Sequence, residues 1–147
     1  MVVRYWYSWG VDEHGQPQAA VKDRPCVILK VAGEGKDRRV ALAPITHSEP
    51  KAPGQGVKLS PKTQARLQLD ARPQWLVTNH VNECAWPSPD LEPVRGSNPP
   101  QWSLGVVPHA IGREAARQVR RERDLGRLIR IRRDRTQERP RDQGRER

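Results

Sequence analysis

The 147-residue sequence has no phenylalanine, one methionine, two tyrosines and two cysteines. Without phenylalanine, the five tryptophans must supply most of the aromatic packing. Two cysteines do not make a disulfide framework; Cys26 and Cys84 sit in apolar runs, where buried free thiols are expected. These cysteines and the four histidines show none of the short spacings of a metal site, so neither metal nor cofactor is expected. Gly33-Glu34-Gly35 is acidic and does not follow the pattern of a phosphate-cradling loop. No run approaches the roughly 20 apolar residues of a membrane span. Met1-Val-Val-Arg-Tyr-Trp6 has no apolar core of a signal peptide, so a soluble cytoplasmic protein with no membrane partner is expected.

Positive charge is abundant and unevenly placed. The chain carries 27 basic and 17 acidic residues, a formal charge of +10. From Gly112 to Arg147 there are 14 arginines and 7 acids, or +7, which leaves 13 basic and 10 acidic residues, or +3, elsewhere. A polyanionic partner suits such a chain, although charge alone does not locate a site.

Two apolar runs, Cys26–Ala32 and Val40–Ile45, flank a charged turn with two glycines, the pattern of a buried β-hairpin with an exposed tip. Antiparallel pairing brings the outer ends together, so Arg24 lies near Thr46, His47 and Ser48. Val2–Trp9 and Val57–Leu59 read as further strands. Ser60-Pro61 is a helix start, with the hydroxyl capping and the proline in the first turn. Trp75–Trp86 reads as a long strand with a bend near Asn79-His80. Six prolines between Pro87 and Pro108 predict irregular structure. The fold expected is mainly β (α+β): a small bent β-barrel over residues 1–93 with one short helix and a proline-rich linker over 94–110. A basic amphipathic helix over 111–135 and a disordered tail over 136–147 complete the expectation.

Arg24-Pro25-Cys26-Val27-Ile28-Leu29, then Pro44-Ile45-Thr46-His47-Ser48, then Trp75-Leu76-Val77-Thr78-Asn79-His80-Val81 stand in the order and spacing found in the PemK/MazF toxins. The chain from Val2 to Leu91 resembles that family, the toxin halves of type II toxin–antitoxin systems. The resemblance implies an SH3-like barrel and a metal-independent endoribonuclease that cuts single-stranded RNA and restrains growth. It also implies a homodimer neutralised by an acidic antitoxin protein, with Arg24 and Thr46 as the working residues. The opening strand lacks the Gly-Asp of the family, and Lys22-Asp23-Arg24-Pro25 replaces its Gly-x-Arg-Pro. Two alternatives stay open: a non-catalytic barrel that inhibits a protein target such as gyrase, and a former toxin that only binds nucleic acid.

The chemistry explains the choice of residues. RNA is cleaved without a metal when its 2′-hydroxyl attacks the adjacent phosphorus, which requires a proton acceptor, a proton donor and a cation on the phosphorane. Arg24 offers a two-pronged phosphate grip; its competing role is an ion pair with Asp23 or Glu83. Thr46 and Ser48 can donate to phosphate oxygens, or satisfy nearby backbone instead. An imidazole can serve as acid or base, which suits His47 to the task, but strand alternation sets it on the face opposite Thr46. Arg24, Thr46 and His47 form the expected catalytic set, and Lys22, Ser48, Asn79 and His80 the expected RNA contacts.

Overall fold

The computed structural model describes residues 1–20 and 22–133. The predicted tail from residue 136 onward lies outside the described residues. The elements in order are β1 (Val2–Trp6), β2 (Asp23–Ala32), β3 (Arg39–Thr46), β4 (Gly56–Lys58), α1 (Pro61–Arg66) and β5 (Trp75–Val77). They continue with β6 (His80–Ala85), β7 (Leu91–Glu92), β8 (Ser103–Gly105), α2 (His109–Asp124) and β9 (Ile129–Arg133).

The hairpin forms as its apolar runs dictate. β2 and β3 pair antiparallel with Cys26 opposite Pro44 and Ala32 opposite Arg39, and a bulge at Leu29 interrupts the ladder. β1 joins the other edge of β2, with Tyr5 opposite Arg24. Around Val2–Val3, Cys26–Val27 and Leu42–Ala43 both faces of these strands are buried, which explains the continuous apolar runs there. Val2, Val27 and Ala43 belong to one core with Leu67 and Leu76; Val3, Cys26 and Leu42 belong to another with Tyr5 and Tyr7.

The sheet is not a closed barrel, and this corrects the SH3-like barrel expected from the sequence. The fold is a mixed α/β arrangement of a nine-stranded sheet and two helices among the described residues. Its path β4-β5-β3-β2-β1-β7 ends on strands of only three and two residues, which do not pair with each other. Such short strands offer few ladder bonds for closure. β3 bends between partners, with Arg39–Leu42 on β6 and Ile45–Thr46 on β5. The outer edge of β6 is taken by β9, running parallel.

That last pairing corrects the long C-terminal helix as well. α2 stops at Asp124 because Gly126, at φ +71°, reverses the chain. The Arg127 N–H then reaches the Glu122 carbonyl and the Gly126 N–H the Arg123 carbonyl, a Schellman termination. α2 is tied to the body along a polar seam. The buried Gln118 accepts from the Thr78 hydroxyl at 2.6 Å, and the buried Glu122 accepts from Gln55 at 2.8 Å and Arg127 at 2.6 Å. Among the described residues no helix is long and apolar enough to cross a membrane.

Candidate phosphate-binding cleft

The start of β2, the end of β3 and the loop after α1 enclose a cleft of about 320 Å³. Arg24, Thr46 and His47 line it together, and Lys22 joins them. Thr46 and His47 share the cleft because β3 ends at Thr46, so strand alternation no longer governs the next residue. The Thr46 hydroxyl also accepts the Ser48 N–H at 3.2 Å, a local turn that fixes its rotamer. Ser48, Asn79 and His80 are not part of the lining.

Three further cations line the cleft, Arg4, Arg72 and Arg95. With Arg24 and Lys22 they make five basic groups against the two carboxylates of Asp23 and Asp70. Asp23, buried, bridges Arg4 at 2.5 Å and Arg95 at 3.5 Å. Glu83, the other candidate partner of Arg24, holds Arg130 at 2.8 Å instead. Arg24 is half-buried, and its Nε has no hydrogen-bond partner among the described residues. Its guanidinium lies over the Trp9 ring, 5.2 Å from the centroid. Burial pushes its pKa down from the usual arginine range, yet an arginine remains a cation at any relevant pH. The cleft therefore attracts anions.

His47 has a partner that the sequence did not suggest. Its Nε2 lies 3.0 Å from both carboxylate oxygens of Asp70. A carboxylate only accepts, so Nε2 carries the hydrogen and Nδ1 remains as the acceptor of the neutral ring. The bond from His47, then that from the Arg72 N–H, holds the Asp70 carboxyl below the usual carboxylate range. Gln64, buried on α1, donates to the carbonyls of Asp70 and Arg72 at 2.9 and 2.8 Å and so pins this loop. Gln68, which lines the cleft, ends α1 at φ +61°, a left-handed conformation costing a non-glycine residue roughly 1–2 kcal/mol. The sequence offered one faint signal for Asp70: an acid two residues before Arg72-Pro73, in the turn that follows the predicted helix.

His80 belongs to a different arrangement. It is buried, its Nε2 donates to the Trp9 carbonyl at 2.8 Å, and its Nδ1 accepts from the Tyr7 hydroxyl at 2.6 Å. The ring packs 5.1 Å from Trp9, so His80 anchors the residue on which Arg24 rests. Trp9 is 42% exposed, whereas the sequence reading gave the tryptophans to packing. Both bonds of His80 suit the neutral ring, and burial lowers its pKa below the ordinary value. Below the ordinary histidine pKa of about 6.5, the unfolded chain takes up this proton more readily than the folded one. The stability contributed is therefore complete above about pH 6.5 and is lost as the pH falls from there through the folded-state value. Urea midpoints measured from pH 7.5 down to 5.5 should fall for the wild type, and His80→Gln should flatten that fall. An unchanged slope in the variant would remove His80 as its cause.

Among the described residues no three histidine, cysteine, aspartate or glutamate side chains gather into a possible metal cage. Comparison of the chain with protein-family models, with curated proteins and with solved structures returns no match.

Proposed function

We propose that the cleft binds single-stranded RNA and cleaves it by assisting attack of a 2′-hydroxyl on the neighbouring phosphorus. The observation that carries this reading is the meeting of Arg24, Thr46 and an Asp70-held His47 in one cationic cleft. The order of the sequence motifs, as in the PemK/MazF toxins, supports it independently. On the same reading the protein restrains growth and works as a homodimer under the control of an acidic antitoxin.

In this mechanism Nδ1 of His47 takes the 2′-proton, with Asp70 orienting the ring and stabilising the imidazolium. Arg24 holds the non-bridging oxygens as charge accumulates on the phosphorane, and Arg4, Arg72 and Arg95 position the flanking phosphates. Thr46, its rotamer set by Ser48, donates its hydroxyl hydrogen to a phosphate oxygen. The 2′-oxygen–phosphorus bond forms as the bond to the 5′-oxygen breaks, and water supplies the leaving group's proton. The products are a 2′,3′-cyclic phosphate and a 5′-hydroxyl.

The full chain incubated with single-stranded RNA in EDTA should yield those ends. His47→Ala should slow the reaction by roughly 10²–10⁴, and Asp70→Asn, which leaves the base in place, by less. RNA left intact by the wild-type chain would overturn the reading.

A further inference from the structure

Away from the cleft, the densest charge surrounds α2. A groove of about 420 Å³ opens between α2, β9 and the face of β2, β3 and β6. Its floor is aliphatic, including buried Val81 and half-buried Leu29 and Val119. Leu29 is the bulged residue of β2, released from the ladder at this place. The rim carries four exposed cations, Lys30, Arg120, Arg123 and Arg130. A shallower depression on α2 shares Arg120 and adds Arg117 and Arg121, so the cationic band continues along the helix. None of these residues lines the cleft.

The band is partly neutralised. Glu83 holds Arg130 at 2.8 Å, Glu114 holds Arg117 at 2.5 Å and Asp124 holds Arg123 at 3.2 Å. Lys30, Arg120 and Arg121 form no direct ion pair among the described residues, although the charge of Arg121 acts on its neighbour Glu122. The three paired cations are also at least half exposed, where such pairs contribute little and exchange readily for a stronger anion.

We propose that this band is a second RNA-binding surface, which holds phosphates of a longer strand whose scissile bond lies in the cleft. The proposal rests on the reading of the cleft as an RNA site and assigns a substrate longer than the cleft can hold. Arg117 and Arg121 stand four residues apart on α2, about 6 Å along the axis, a spacing that suits successive phosphates. Five of the six cations are arginines, whose planar forks grip phosphate oxygens in pairs. The aliphatic floor beside them can receive the face of an unpaired base, which a duplex does not offer.

Two variants in different elements test the band: Lys30→Gln on β2, and Arg120→Gln with Arg121→Gln on α2. Anisotropy with a labelled single-stranded RNA of about 20 nucleotides, in EDTA and over a salt series, reads affinity and salt slope. Cleavage of an RNA hexamer reads the cleft alone. Each released phosphate contact lowers the slope by about 0.7, so the combined triple variant should lose about 2 from the slope and at least about tenfold in affinity at low salt. Hexamer cleavage should not change. Unchanged affinity and slope in both variants would overturn the proposal. So would polyglutamate binding the wild type as tightly as RNA and losing as much in the variants, because the band would then belong to an acidic protein. A wild-type chain that binds the long RNA through the band but leaves the hexamer uncut would uphold the band and overturn the reading of the cleft.

Discussion

Arg24→Ala should lower kcat/KM for RNA cleavage by roughly 10²–10³, the usual loss when one preorganised donor to a developing anion is removed. The effect is large because Arg24 is held in place from two sides. The Arg24 backbone is fixed by pairing opposite Tyr5 at the start of β2, and its head is braced on the Trp9 ring at 5.2 Å. Trp9 is anchored in turn by the His80 bond to its carbonyl. The Nε, buried without a hydrogen-bond partner among the described residues, records the cost of desolvating a guanidinium here. Arg24→Lys should restore little, because an ammonium keeps the charge and loses both the fork and the flat stacking face. Stability should change only modestly, since the alanine removes a cation–π contact worth about 0.5–1 kcal/mol at an exposed ring. The check is single-turnover cleavage in EDTA beside a urea unfolding curve. A folded Arg24→Ala chain that cuts at the wild-type rate would take Arg24 out of the reaction.

Asp90→Ala should destabilise the fold by about 3–5 kcal/mol, a large part of the stability expected for a domain of this size. Arg133, the last described residue of β9, is 3% exposed and reaches into the core behind β1. It pairs with Asp90, 1% exposed, at 3.1 Å, and donates to the Asn82 side chain at 2.7 Å and the Trp6 carbonyl at 2.9 Å. Its head also lies over the Tyr5 ring at 5.2 Å. Asn82 completes the clasp by exchanging two bonds with the Ser8 backbone. Removing the carboxylate leaves a guanidinium buried without its counter-charge, and desolvation then works against the native state. The double variant Asp90→Ala/Arg133→Met should recover most of the loss, because no buried charge remains and the methionine fills the space. Chemical unfolding of the single and double variants gives the coupling energy directly. Equal stability of wild type and Asp90→Ala would show that the pair contributes nothing.

These two residues mark how much was legible in the chain. Arg24 could be placed from strand pattern alone, because antiparallel pairing of two apolar runs brings the start of one to the end of the other. Arg133 could not. In the sequence it is one arginine among many in a stretch with helical spacing, and its burial depends on β9 finding the edge of β6. The expected helix ran through Gly126, where the chain in fact reverses, and even a helix stop does not say that a strand follows. Glu122 is likewise one charge among many in that stretch, and it is the buried hydrogen-bonding centre of the seam that docks α2.

The candidate site shows the same division. The hairpin ends, and with them Arg24, Thr46 and His47, follow from local pattern. The pairing of His47 with Asp70 joins residues 23 positions apart through a loop that Gln64 holds in place. His80 was expected at the RNA and stands behind Trp9, because the bend after β5 directs it into the core rather than into the cleft.

By itself, the sequence determined the central hairpin, the start of α1, the basic C-terminal quarter and the cluster at the hairpin's outer end. Each rests on interactions within a few residues or on one strand pairing. Only the tertiary structure decided that the sheet stays open, that β9 completes it, and that Asp70, Arg4, Arg72 and Arg95 surround His47 and Arg24. Those outcomes depend on which short edges find partners and which buried polar groups satisfy one another, and such pairings leave no periodicity in the chain.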